Sequence, residues 1–333
     1  MKVDFHNHHY PQEYLRILQE KKIVDFSDDA DGRKIMTDKG ARIVTITEAM
    51  TDLTVRLEDM DKAGVDIHVL SLTTPNVYFD DPVLAKELAR ASNEEFAKIV
   101  SRFPERFLSF ASVPLNHPDL AIDELTYALD ELKMNGVAVG TNILGKYLDD
   151  ARFEDFFTLA AQRNAPVFLH PMSPWGKELM GDLGLAPLVG FVFDTTLTVA
   201  RMIFSGVLER IPDLQLILPH TGGTLPFLWE RLNNGWRAYA ESRKKCPHPP
   251  EHYLKKMYYD AVSFHRPALQ EAYETVGASQ IVLGSDYPHV IGDLPRAIGD
   301  VEALNIQQDE KDLIFSGNAR RLLINLGNPP LRK

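Results

Sequence analysis

Short β-branched or apolar runs alternate with longer amphipathic stretches from one end of the chain to the other, which is the pattern of repeated strand–helix units. The runs predict strands at Lys2–His6, Asp66–Leu72, Phe107–Val113, Gly136–Gly140, Pro166–His170, Gln215–His220, Met257–Asp260 and Ile281–Asp286. Helical periodicity fills the intervals at Leu53–Lys62, Pro82–Arg102, Pro118–Met134, Phe153–Arg163, Thr195–Glu209, Leu225–Ser242 and Pro267–Thr275. Several of these open on proline or an acidic turn, as helix starts prefer. Eight strands alternating with helices through right-handed crossovers predict an α/β fold closed as a (β/α)8 TIM barrel, with a doubly wound sheet as the other topology.

Two segments interrupt the repeat. After the first strand, residues 9–50 form a long insertion with an Asp-rich patch (Asp25, Asp28, Asp29, Asp31) and a hairpin pattern from Lys34 to Thr47. Between the fifth and sixth strands, Met172–Asp194 carries Pro174, Trp175 and several glycines, a composition suited to a loop covering a pocket. No repeat, low-complexity tract or linker divides the chain, so a single domain over residues 1–333 is expected.

Hydrophobic residues at 44% and charged residues at 25% suit a globule with a sizeable core and exclude a disordered or fibrous chain. The net charge is −11 and no Lys/Arg run occurs, so nucleic acid is not an expected partner. Cys246 is the only cysteine, which excludes an internal disulfide and a Cys-based zinc site. The longest nearly apolar stretch, Leu183–Phe193, is broken by glycine and proline, and no export signal precedes the first strand. A cytoplasmic protein without a membrane span is the expectation.

Candidate chemistry lies at the strand ends. His6 and His8 share one face of the first strand, because strand side chains alternate. His170 ends the fifth strand, His220 the sixth and Asp286 the eighth. A barrel brings the carboxyl ends of its strands to one mouth, where such enzymes carry their active sites. Imidazoles with a carboxylate suit a zinc-like ion better than magnesium or calcium, which prefer oxygen. The fourth strand ends Val139-Gly140-Thr141-Asn142, with no Lys, Glu or Cys to bridge a second ion, so one divalent ion is expected, Zn2+ or else Mn2+. Nearer the mouth's rim, His289 and Trp175 are candidates to shape a pocket, whereas His68 inside the second strand reads as a local packing residue.

His6-Asn7-His8, Leu169-His170-Pro171, Leu218-Pro219-His220-Thr221-Gly222-Gly223, Gly284-Ser285-Asp286-Tyr287-Pro288 and Gly317-Asn318-Ala319 together resemble the amidohydrolase superfamily. The branch they resemble is that of 2-amino-3-carboxymuconate-6-semialdehyde decarboxylase, and the likeness runs nearly end to end. The resemblance implies that His6, His8, His170 and Asp286 bind the ion while His220 stays free as acid/base toward a polarised water, with Asp286 also catalytic. It implies non-oxidative decarboxylation of a small unsaturated or aromatic carboxylic acid without an organic cofactor. A hydrolase acting on a lactone or amide, or a hydratase, would use the same residues. Arg231 and Arg42 match arginines that the family directs at the substrate carboxylate, Arg231 in its own or a partner subunit's pocket, and a homodimer is implied. At the position of His289 the branch's prototype carries phenylalanine, which leaves the acid itself open.

Overall fold

The computed structural model describes residues 1–181 and 183–324. Eight parallel strands lie in chain order: β1 (Val3–His8), β2 (Ile67–Ser71), β3 (Phe107–Ser109, resumed at Ala111–Ser112), β4 (Val137–Gly140), β5 (Val167–His170), β6 (Leu216–Leu218), β7 (Tyr258–Asp260) and β8 (Ile281–Val282). Each pairs with its successor. The seam closes where Phe5 N donates to Leu283 O at 2.9 Å, Asp286 N to His6 O at 2.8 Å and His8 N to Tyr287 O at 2.7 Å. The expected barrel is therefore the observed one.

Period-two alternation sorts the strand side chains into two buried clusters. Val3, Phe5, Ile67, Val69, Phe110, Ala138, Phe168, Ile217 and Val282 pack with one another inside the barrel. Their neighbours Leu70, Val137, Val139, Val167, Leu169, Leu216, Leu218 and Ile281 belong to the larger cluster shared with the helices.

The surrounding helices are α1 (Gln12–Glu20), α2 (Leu53–Ala63), α3 (Pro82–Arg102), α4 (Pro118–Asp130), α5 (Glu154–Gln162), α6 (Phe191–Phe204), α7 (Leu225–Ala238), α8 (Arg266–Val276), α9 (Leu294–Glu302) and α10 (Asn318–Ile324). Their ends follow local chemistry. The Asp52 carboxylate caps α2 by accepting Thr54 N–H, and Gly64 at φ 67° terminates it. Ala319, Leu322 and Leu323 of α10 join the inner cluster, and the Asn318 side chain donates to Ala278 O at 2.7 Å and Ile281 O at 2.6 Å. The Gly-Asn-Ala motif thus fixes the start of β8.

The insertion is more ordered than its polar composition suggested. Besides the expected hairpin it contains α1 and a third strand, giving an antiparallel sheet of Asp25–Asp28, Lys34–Asp38 and Ala41–Thr45. Tyr14, Ile17 and Leu18 bury one face of α1. Strands six and eight are shorter than expected, ending at Leu218 and Val282, and the residues at their predicted ends, His220 at φ 52° and Asp286 at φ 56°, lie in the left-handed region. Helix α7 stops at Ala238, four residues early, where Tyr239 turns extended. Residues Ala186–Phe204 run as one helical stretch of 19 residues, apolar and long enough to cross a membrane by length and composition alone, and longer than the sequence pattern implied. In the structure it encloses the barrel, with Thr195, Val199, Met202 and Ile203 buried.

Candidate metal centre

At the carboxyl end of the barrel, His6 and His8 of β1, His170 of β5 and Asp286 after β8 each offer one ligand atom. These four atoms lie within 4.8 Å of one another, and all four residues are buried. The register of β1 against β2 shifts between Asp4 and Asn7, an irregularity that takes in His6, and pairing resumes with His8 opposite Ser71. His170 follows Phe168 by two positions, so it points inward above that ring. Asp286 and His220 adopt left-handed backbone conformations that cost non-glycine residues about 1–3 kcal/mol each, and such strain concentrates at functional sites.

The hydrogen bonds on the far side of each ring decide which nitrogen is free. His6 Nδ1 lies 2.5 Å from Asp260 Oδ2, a carboxylate that also accepts Thr221 N–H at 2.8 Å and Val262 N–H at 3.0 Å through Oδ1. The Ser71 hydroxyl donates to Asn7 O at 2.9 Å, so its oxygen accepts from His8 Nδ1 at 3.1 Å. Both rings therefore turn Nε2 toward Asp286 Oδ1, at 3.2 Å for His6 and 3.4 Å for His8. Backing of this kind orients metal-ligating imidazoles.

Buried polar atoms are almost always paired. Yet His6 Nε2, His8 Nε2, both nitrogens of His170 and Asp286 Oδ1 are all buried without a hydrogen-bond partner, and they converge. Three imidazole nitrogens and one carboxylate oxygen fit one divalent ion of the borderline class. For two of the three rings the electrostatics agree. Burial, reinforced by His6 and His289, pushes His8 down to about 3, and burial with His8 and His6 alongside holds His170 well below the usual range, so both are neutral lone-pair donors. Burial opposes a charge on His6, but Asp286 and Asp260 outweigh it and raise this ring to about 10. Asp286 is held well below the carboxylate range, the facing rings of His6, His220 and His8 overcoming its burial.

His220 stands beside this set, its Nε2 3.9 Å from Asp286 Oδ2 and its side chain 13% exposed, with ring centroids 5.1 Å from His6 and 6.1 Å from His170. His289 also faces the cluster. Its ring lies 5.0 Å from that of His8, and its Nε2 is 3.0 Å from Thr73 Oγ1.

The remaining expected substrate contacts take other places. Arg42 pairs with Asp29 within the insertion sheet, because that carboxylate is the nearer partner. Trp175 is 81% exposed. Arg231 is exposed on α7. Among the described residues, no hydrogen bond or ion pair joins any of the three to the cluster.

Asp260 escaped the sequence reading. It ends β7 two residues after the inward-packed Tyr258, so the period-two rule that selects His170 also selects Asp260. Ser71 and Thr73 carried no such signal.

The profile of the family described as amidohydrolase matches residues 3–323. The chain is 30% identical over 329 residues to the 2-amino-3-carboxymuconate-6-semialdehyde decarboxylase of Dictyostelium discoideum, covering 97% of this chain and 91% of that one. It is 29% identical to the gamma-resorcylate decarboxylase of Rhizobium radiobacter, covering 80% and 85% respectively. Among solved structures, a dihydroxybenzoic acid decarboxylase from a Polaromonas species, with bound manganese and the inhibitor 2-nitroresorcinol, superposes with a TM-score of 0.79 at 26% identity over 98% of each chain. On the family match and the relative that spans nearly all of it, the chain belongs to the amidohydrolase family.

Proposed function

We propose that the protein is a mononuclear, divalent-metal-dependent, non-oxidative decarboxylase of a small aromatic or unsaturated carboxylic acid. The observation that carries this reading is the convergence of four buried, unpartnered ligand atoms with His220 unligated beside them. The decarboxylase relatives support the reaction class.

His6, His8, His170 and Asp286 would hold the ion, which when bound supplies positive charge to orient the carboxylate and a neighbouring oxygen of the acid. His220, partly open to the mouth, delivers a proton to the carbon bearing the carboxylate. The carbon–carbon bond then breaks, its electron pair stays with the ring or conjugated system, and carbon dioxide leaves. Solvent returns the proton to His220, so the net change is one proton taken up for each carbon dioxide released. Asp260 and Ser71 hold the ligand rings in register throughout.

Three imidazoles favour zinc as the resident ion, and the manganese in the Polaromonas enzyme supports Mn2+ as the alternative. A homodimer is also proposed, supported by the exposed apolar side chains of Leu188, Phe193 and Phe227. Sedimentation velocity tests it. For the reaction, purified protein loaded with Zn2+ or Mn2+ is incubated with 2,6-dihydroxybenzoate and related hydroxybenzoates and unsaturated acids while carbon dioxide is measured. Metal-dependent release supports the proposal. Turnover of lactones or amides without release from any acid would favour a hydrolase instead.

A further inference from the structure

Beneath the ligands lies a second charged group for which decarboxylation has no use. Asp4, His68 and Arg56 are all fully buried. Asp4 precedes His6 on β1, His68 sits on β2 and Arg56 on α2. A guanidinium has only donors, so Arg56 Nη1, 3.1 Å from His68 Nδ1, obliges that nitrogen to accept. The imidazole proton therefore sits on Nε2, which faces Asp4 Oδ2 at 3.5 Å. A guanidinium and a carboxyl group thus stand at the two ends of one imidazole.

Most of the other bonds of this group run to the two segments that carry the ligands, residues 6–8 and 285–287. Arg56 Nη2 donates to the His8 carbonyl, and Nη1 donates to Asn7 Oδ1 at 3.1 Å. Asp4 Oδ1 accepts the His6 N–H at 3.0 Å. Asp4 Oδ2 accepts the Ser285 hydroxyl at 2.5 Å, and Ser285 Oγ in turn accepts Tyr287 N–H at 3.2 Å, which brackets Asp286 from both sides. The Tyr287 ring lies over the Arg56 guanidinium at 4.9 Å. The seam between β1 and β8, which supplies three of the four ligand atoms, is gripped from below on both strands. Apolar side chains of similar volume would close such a seam without the desolvation cost of buried charge.

We propose that Arg56, His68 and Asp4 are positioning residues that set the spacing of His6, His8 and Asp286 for the cation. This inference rests on reading the four-residue cluster as a metal centre. The test is titration of chelator-stripped full-length protein with Co2+, followed by visible absorption, which reports both affinity and ligand geometry. Wild type is expected to take one Co2+ per chain. Arg56→Met is expected to raise the Kd about 10- to 100-fold and to shift the d–d bands, as loss of ligand backing does elsewhere. Arg56→Lys, retaining a charge and a donor toward the His8 carbonyl, recovers part of the affinity. Ser285→Ala removes only a hydroxyl and is expected to raise the Kd about fivefold, the worth of one hydrogen bond. It decides the matter should Arg56→Met fail to fold. Folded variants with a lowered Tm but the wild-type Kd and bands would make the network merely structural and overturn the proposal. Wild type that binds no Co2+ would instead overturn the metal-centre reading, and this inference with it.

Discussion

His6 and Asp260 are joined Nδ1 to Oδ2 at 2.5 Å across the barrel, and neither side chain touches solvent. The carboxylate fixes the proton on Nδ1 and leaves Nε2 for the ion, while its second oxygen accepts two backbone N–H groups and cannot rotate away. Asp260→Asn keeps the shape but removes the charge, so its effect is expected to fall on the ion. Metal affinity should drop roughly 10- to 100-fold, read by competition with a chromogenic chelator. Unchanged affinity would show that Asp260 does not tune His6.

Ion binding should release a proton. Without an ion, burial opposes a charge on His6, but Asp286 and Asp260 prevail and lift it to about 10. At about pH 8 this ring is therefore protonated, and Nε2 must lose its proton before it can ligate. His8 and His170, already neutral, contribute none. Titration calorimetry in buffers of different ionisation enthalpy should give roughly one proton released per ion, and affinity should weaken by up to about tenfold per pH unit as pH falls below 10. A release near zero would mean that His6 is neutral before the ion arrives.

His220→Asn separates ion from turnover. The side chain is not among the four converging ligands, and its Nε2 stands 3.9 Å from Asp286. The variant should keep one ion per chain by elemental analysis and lose about 10²- to 10⁴-fold in kcat, the usual worth of a positioned acid/base. His170→Ala should lose the ion itself. Full turnover in the asparagine variant would remove His220 from the reaction.

The strands were legible because each carries one inward and one outward apolar set, and a barrel then brings their carboxyl ends together without further information. That geometry brings His6, His8, His170, His220 and Asp286 to one mouth, and the family resemblance divides them into four ligands and a free His220. Asp260 was equally available by the same parity and was missed only because a lone Asp after two tyrosines carries no motif. Arg56 was not available. Its role depends on α2 laying one particular face on the β1–β8 seam, and in sequence an arginine within Arg56-Leu57-Glu58-Asp59 reads as a solvated helix charge. Helix α1 was obscured by the charges on its exposed face, since only Tyr14, Ile17 and Leu18 mark the buried one. The places of Arg42 and Trp175 were illegible for a different reason: alignment to a family motif says nothing of a nearer carboxylate such as Asp29, or of how far a loop side chain projects.

Gly284 marks how closely the strands must approach beneath the ion. A Cβ placed there would stand 2.9 Å from the Cβ of Asp260 and 2.9 Å from the Cβ of His6, atoms fixed by their own backbones. Neither can yield without moving the ligand or its backing carboxylate. Gly284→Ala should therefore cost about 1–3 kcal/mol through overpacking, lowering the Tm of the ion-free protein by roughly 1–4 °C, and it should weaken ion binding. Gly299 in α9 provides the control, because a Cβ there meets nothing within 4 Å. Gly299→Ala removes backbone freedom from the unfolded chain and should stabilise by about 0.5–1 kcal/mol with no effect on the ion. Thermal unfolding with and without chelator distinguishes the two. Equal behaviour of both variants would mean that the barrel end has slack to absorb a methyl group, and that the spacing of His6 and Asp260 is not set by packing.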